Sequence, residues 1–215
     1  MDFYSKRKKL VESLKQYGYI RSEVVEQALL SIPRELFVPE HKRHLAYVDR
    51  PLDIGNGQTI SAPHMVAIMT EAMNLSSGQN VLEVGTGSGY HAAIVSHIIG
   101  EHGHVYSIER FQELAEKARQ RLKDAHIGNV SVVIGDGSLG LEKFAPYDRI
   151  YVTCSAPSVP TPLKEQIGIN GKIIIPVGRI TGELLVITKD ENGFHQKSYG
   201  GCAFVPLIGK YGFDH

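Results

Sequence analysis

The chain has 215 residues, 42% of them hydrophobic and 21% charged, a composition that excludes disorder and bounds the fold to one domain, at most with an appended subdomain. Lys plus Arg and Asp plus Glu balance at 23 each, so no global field draws the protein to nucleic acid or to an anionic membrane. The two cysteines, Cys154 and Cys202, lie in the apolar runs YVTCSA and GGCAFV and read as buried free thiols, since two isolated Cys make neither a disulfide framework nor a zinc site.

No apolar run approaches the ~18 residues of a membrane helix, and no apolar segment follows the basic opening MDFYSKRKKL. A soluble cytosolic protein is the default expectation. Residues 5–17 carry Leu10, Val11, Leu14 and Tyr17 at helical spacing, and Gly18 supplies a stop. The Lys6–Lys9 run reads as a solvated face of that helix. Ser22 precedes a second helical pattern (Val24, Val25, Ala28, Leu29) that ends before Pro33, with Glu23 and Glu26 near its positive end. The segment GNGQTISAPHM (55–65) then opens a helix from His64 to Met73.

From residue 80 the pattern alternates. VLEV (81–84), VYSI (105–108), VSVVI (130–134), RIYVT (149–153), KIIIPV (172–177) and ELLVIT (183–188) read as strands, with helices at 90–99 and 111–125 between the first three. Strands alternating with 10–15-residue helices predict a doubly wound, mostly parallel α/β sheet with helices on both faces and an N-terminal helical extension. Three Asn-Gly pairs, at 56–57, 170–171 and 192–193, read as turns; the last predicts a hairpin and antiparallel final strands, whose order stays open. The whole reads as one domain, with 1–75 the helical region and loop and 76–215 the α/β core and C-terminal strands.

The first chemical signal is VLEVGTGSGY (81–90): a strand, then Gly85, Gly87 and Gly89, then a helix. Ligands bind at the carboxyl ends of strands in open α/β sheets, and this turn lies there. The spacing is G-x-G-x-G, whereas a dinucleotide fingerprint would place glycine at Tyr90. Glu109 ends the second strand, where an acid can accept both hydroxyls of a ribose, and Gly135-Asp136-Gly137 ends the third, where an acid and bare backbone could read an adenine edge. Together with Glu83 these acids form a concordant set.

EVGTGSG with Glu109 and the GDG at 135–137 resembles the class I S-adenosylmethionine-dependent methyltransferases over about residues 75–155, which implies a seven-stranded Rossmann-like sheet. The resemblance implies that the cofactor lies over Glu83, Gly85, Thr86 and Gly87, with its ribose on Glu109 beside Arg110 and its adenine by Asp136 and Gly137. A single cationic nucleoside without pyrophosphate suits an acid-lined pocket better than a nicotinamide dinucleotide does.

GQTISAPHM, led by RPLDIGNGQ, resembles the substrate loop of the protein-L-isoaspartate (D-aspartate) O-methyltransferases, and PRELFVPE (33–40), FVPLIG (204–209) and GKYGF (209–213) resemble the same family. The resemblance implies a repair enzyme that methylates the α-carboxyl of L-isoaspartyl residues in damaged proteins, with the β-carboxyl of D-aspartyl residues left open as a second acceptor. It makes Ser61 the catalytic residue, adds Thr59, Ile60, Ser61 and His64 to the cofactor contacts, and assigns Thr59, Ser61, Ala62 and Val205 to the substrate, with Phe204 beside it.

As chemistry the assignment is coherent. An isoaspartyl α-carboxylate with a pKa near ~4 is ionised at neutral pH without a general base. One hydroxyl orients it without blunting it as a strong clamp would. The residues keep their plainer readings too: Ser61-Ala62-Pro63 as a helix N-cap, His64 as a packing residue at the helix start, Phe204 and Val205 as core strand. No His falls in metal-ligand spacing, so no metal is expected. A monomer is expected, binding neither nucleic acid nor membrane. A methyltransferase for another carboxylate or RNA, a nicotinamide-linked oxidoreductase and a non-catalytic cofactor-binding module stay open as alternatives.

Overall fold

In the computed structural model residues 2–179 and 181–214 are described. Asp2 accepts the Ser5 N–H and opens α1 (Phe3–Gln16), which buries Val11 and Leu14. The Lys6–Lys9 run is not wholly a solvated face. Arg7 turns inward, donating to the Tyr47 hydroxyl (2.8 Å) and the Leu30 carbonyl (2.9 Å) and pairing with Glu35 at 3.2 Å. α2 (Glu23–Ser31) begins after Ser22, whose side chain does not cap it. Glu71, far along the chain, accepts the N–H groups of Arg21 and Ser22, both at 2.8 Å.

Residues 55–60, read above as loop, lie largely in a two-stranded hairpin of β1 (Leu52–Gly55) and β2 (Gln58–Ile60). Asn56 and Gly57 turn it with φ of 53° and 68°, the positive pair that suits the twist of a two-residue hairpin turn. α3 (Pro63–Met73) follows, with Pro63 at its first position.

The core strands are β3 (Asn80–Val84), β4 (His104–Glu109), β5 (Val130–Ile134), β6 (Tyr147–Val152), β7 (Ile167–Gly178), β8 (Gly182–Asp190) and β9 (Gly193–Cys202). They form one seven-stranded sheet in the order β5-β4-β3-β6-β7-β8-β9. The first five are parallel; β8 and β9 add an antiparallel meander, which fixes the order the sequence left open. Asn170-Gly171 is not a turn between elements but a kink inside β7, where Asn170 has φ 62°. There the register advances from Tyr147 to Arg149 on β6 but from Ile167 to Lys172 on β7.

Alternation along the strands sorts the core into two faces. Val81, Val105, Tyr151 and Ile174 pack with Met69 and Met73 of α3 and with Ala92 and Val95 of α4 (Tyr90–Ile99). Leu82, Ile108, Ile150 and Ile173 pack on the other face with Leu163 of α6 (Thr161–Gln166). α5 (Gln112–Asp124) connects β4 to β5, and its Leu114, Ala115 and Leu122 join α1, α2 and the hairpin in a further cluster. Each such fully buried aliphatic side chain contributes roughly 1.5–3 kcal/mol, so the N-terminal region is bonded into the α/β core by packing. No described helix is long and apolar enough to cross a membrane.

The order has one reversal. From β3 the chain steps outward to β4 and β5, then returns to place β6 on the opposite flank of β3. The connections leaving β3 and β6 therefore part, and a crevice opens at their carboxyl ends.

Candidate active site

Gly85, immediately after β3, has φ +94°, and a Cβ there would stand 2.4 Å from Thr153 Oγ1. Glycine is required on both counts. Its neighbour Gly87 donates its N–H to Glu109 Oε2 (2.8 Å), while the N–H of Phe111 reaches Oε1 (3.0 Å). One backbone donor per oxygen fixes the Glu109 carboxylate and leaves each oxygen lone-pair capacity for a ligand. Glu109 lines a cavity with Gly85, Gly87, Arg110 and Gly137. Thr59 of the hairpin and residues 205–208 of the C-terminal segment complete its wall.

An inner cavity adjoins it, bordered by Ile60, Ser61, Glu83, Thr86, Gly87 and His91. Glu83 is fully buried, and its carboxylate accepts the Tyr151 hydroxyl (2.8 Å) and the Ser107 hydroxyl. Burial pushes its carboxyl up to about 8; the two hydroxyl donors pull it back, and the charge on Glu109 adds to the rise. His91, also buried, is driven down to about 3 and is neutral; its Nε2 meets the Thr70 hydroxyl at 3.0 Å. A buried carboxyl held by neutral donors and a second buried carboxylate beside it fit a cationic nucleoside such as S-adenosylmethionine.

The Glu83 carboxyl has a measurable consequence in the ligand-free protein. Between its ordinary 4.5 and about 8 the folded chain keeps a proton that the unfolded chain has released. Stability therefore falls as pH rises through that window and levels off above it. Thermal melts at about pH 5, 6.5 and 8.5 should show the Glu83→Gln protein losing less stability than wild type on this rise. Parallel melts would mean that Glu83 does not titrate there.

Asp136, just beyond β5, is held through both of its oxygens. Its Oδ1 accepts the N–H (2.9 Å) and hydroxyl (2.7 Å) of Ser138, and its Oδ2 accepts the N–H of Lys210 (2.8 Å). Burial raises its pKa, but the Lys210 and Ser138 hydrogen bonds and the Arg110 charge outweigh this and hold it below the usual range. The contact is so close that a Cβ at Gly209 would lie 2.0 Å from Oδ1. Asp136 thus fastens the C-terminal segment while lining an open mouth with Arg110.

Ser61 borders the inner cavity and a wider open one, shared with Ala62, His64, Phe204 and Val205. It is not the N-cap of α3; that position belongs to Ala62, which has no side chain to cap with. Asp49 substitutes, its Oδ1 accepting both the N–H and the Nδ1 of His64 at 2.9 Å. His64, assigned to the cofactor above, is seated in the open cavity with its ring 5.5 Å from that of Tyr19. Arg34, fully buried, holds Ser61 from behind: Nη2 donates to the Ser61 carbonyl (2.7 Å) and Nε to that of Ala46 (2.9 Å). The guanidinium also lies 4.8 Å over the Tyr90 ring. Cys154 is buried as expected, but Cys202 is only half-buried and borders the open cavity.

A family model described as protein-L-isoaspartate(D-aspartate) O-methyltransferase matches residues 5–212. The chain belongs to this family. It is 55% identical, over 99% of its length and 98% of the relative's, to protein-L-isoaspartate O-methyltransferase 1 of Archaeoglobus fulgidus. Identity to the protein-L-isoaspartate O-methyltransferase of Methanothrix thermoacetophila is 53%, over 97% of each chain. A solved protein-L-isoaspartate O-methyltransferase superposes with TM-score 0.86 at 33% identity, covering 96% of this chain and 67% of that one. A Plasmodium falciparum structure so named, in complex with S-adenosyl-L-homocysteine, gives 0.84 at 29% identity over 94% and 98% of the two chains.

Membership in the isoaspartyl methyltransferases removes the nicotinamide-linked alternative. Of the residues assigned from sequence, Glu83, Gly85, Thr86, Gly87, Glu109, Arg110 and Gly137 converge on the two acid-lined cavities, Ser61 and Ala62 on the open one, and Val205 borders both sides. Arg34, Asp49, His91, Tyr151 and Thr153 carried no signal of their own. Each acts through a partner distant in sequence.

Proposed function

We propose that the protein transfers a methyl group from S-adenosylmethionine to the α-carboxyl of L-isoaspartyl residues in damaged proteins and peptides. The observation that carries this reading is the meeting at Thr59 of two cavities that hold Glu109 and Glu83 with a wider one bordered by Ser61, Phe204 and Val205. When bound, S-adenosylmethionine supplies a methyl group on a sulfonium sulfur, which keeps the electron pair of the broken S–C bond as a carboxylate oxygen forms the new C–O bond.

The chain's residues do the binding and aligning. Glu109 is placed to accept the ribose hydroxyls, and Glu83 to offset positive charge in the inner cavity, where a cation favours its ionised form. Arg110 and Gly137 border the adenine end, with Asp136 holding that wall in place. The Ser61 hydroxyl is suited to donate one hydrogen bond to the substrate carboxylate, which is already ionised and needs no base. Rate gain comes from alignment, for which effective molarities of ~10⁵ M or more are attainable. His64, Phe204 and Val205 border the space for an extended peptide, and the β-carboxyl of a D-aspartyl residue is a second acceptor of the same charge. The resulting ester closes to a succinimide as the following backbone nitrogen displaces methanol, and water then opens the ring in part to normal aspartate. We place this work in the cytoplasm, in a monomer.

Labelled S-adenosylmethionine offered with two peptides that differ only in Asp versus isoAsp tests the reading. Base-labile label is expected on the isoAsp peptide alone. Label on neither, with S-adenosylhomocysteine still bound, would keep the cofactor and remove the substrate.

A further inference from the structure

Where β3 and β6 part, the last tie between them is made by Thr153. Its N–H donates to the Val84 carbonyl (2.9 Å), and its hydroxyl lies 2.6 Å from the Gly85 carbonyl and, more distantly, 3.2 Å from that of Val84. The backbone contact extends the β3–β6 ladder by one residue, and the side chain then reaches across to the glycine turn. A hydroxyl has one proton to give; with that proton on Gly85, the rotamer is fixed and the oxygen's lone pairs remain as acceptors.

Thr153 borders the Glu109 cavity, the inner cavity and the open cavity. Thr59 shares all three, whereas Ser61 borders only the inner and open ones. Val205 also borders both the Glu109 cavity and the open one, so Thr59 and Thr153 are the hydroxyls of the rim between them. Thr59 is exposed on the short hairpin, while Thr153 is half-buried at the end of a core strand. The rigid part of the rim is therefore Thr153.

We infer that Thr153 is a second active-site hydroxyl of the transfer step, its oxygen accepting from the polarised C–H groups of the transferring methyl. The inference rests on the reaction proposed above. A methyl on a positively charged sulfur is a far better C–H donor than an ordinary one, and an acceptor fixed beside it limits its swing away from the line of attack. The plainer alternative makes Thr153 only a clamp on the glycine turn. The two differ in what is lost with the side chain: a clamp sets the affinity for any ligand on the turn, whereas the inferred contact exists only while a methyl group is present.

Thr153→Ala removes the hydroxyl without crowding Gly85, and Thr153→Ser keeps it. Turnover on an isoAsp peptide, affinity for S-adenosylhomocysteine (which lacks the methyl) and the melting midpoint are measured for both variants and wild type. The expected result is a fall in kcat of about two- to fivefold for T153A, with S-adenosylhomocysteine affinity unchanged, and recovery of most of the lost turnover in T153S. Unchanged kcat in T153A overturns the inference. So does a loss of S-adenosylhomocysteine affinity in step with kcat, or a serine protein no better than the alanine one. Wild type that binds S-adenosylhomocysteine but leaves the peptide unmethylated defeats the reaction itself, and the Thr153 contact with it.

Discussion

Glu109→Gln is expected to weaken S-adenosylhomocysteine binding by about two to four orders of magnitude, from the loss of two charge-assisted hydrogen bonds worth ~3–6 kcal/mol together. Two effects act in the same direction. The neutral amide is a poorer acceptor for ribose hydroxyls, and one of its two ends is now a donor. Both carboxylate oxygens already receive a backbone N–H, from Gly87 and Phe111, so either orientation of the amide sets an NH₂ against one of them. The glycine turn is disturbed together with the ligand contact. Calorimetric titration measures the affinity, and a melting curve separates a local loss from a global one. Binding within tenfold of wild type would remove Glu109 from the ribose.

Arg34→Met should lower stability by about 2–4 kcal/mol, or roughly 5–15 °C in Tm for a chain of this size. The guanidinium is buried without a carboxylate partner, and its Nη1 has no hydrogen-bond partner. Burial lowers its pKa to about 10, which leaves it charged at neutral pH. Removing that charge from the interior offsets part of the loss. Against this, the Ala46 and Ser61 carbonyls lose their Arg34 donors, and the face of Tyr90 loses its cation. Methionine fills most of the volume but supplies no donor. Arg34→Lys should recover little, because one ammonium cannot span two carbonyls as the planar fork does. In the Met protein, kcat on an isoAsp peptide should fall further than the folded fraction at the assay temperature accounts for, since the Ser61 backbone is released. A kcat loss that only tracks the folded fraction would confine Arg34 to stability.

The legible parts of this protein were those whose cause is local. Val- and Ile-rich runs with helices between them gave the parallel half of the sheet to within a residue or two at most ends. Glu109 was legible because an acid ending the second strand has few other uses. The hairpin was missed although Asn56-Gly57 is its turn signal: strands of four and three residues are too short to display a period of two. The cap of α3 was assigned to Ser61 because capping is ordinarily local, yet Asp49 supplies it from fifteen residues away. Arg34 lay within a family-like block, but nothing in PRELFVPE marks its one arginine as buried beneath the active-site loop. Thr153 ends a strand run in the sequence, and only the order of the sheet sets that end against Gly85.

That order also separates what can vary from what cannot. The crevice exists because two neighbouring strands send their chains in opposite directions, so no side chain has to be small to create it and no ladder bond is left broken. Residues that border only its open side, such as Phe204, can change their size and polarity while the parallel core keeps every hydrogen bond it has. The acid-lined side has no such latitude, since Gly85 and Gly137 each leave a Cβ no room. A lineage exploring new methyl acceptors on this scaffold would therefore be free on one wall and fixed on the other.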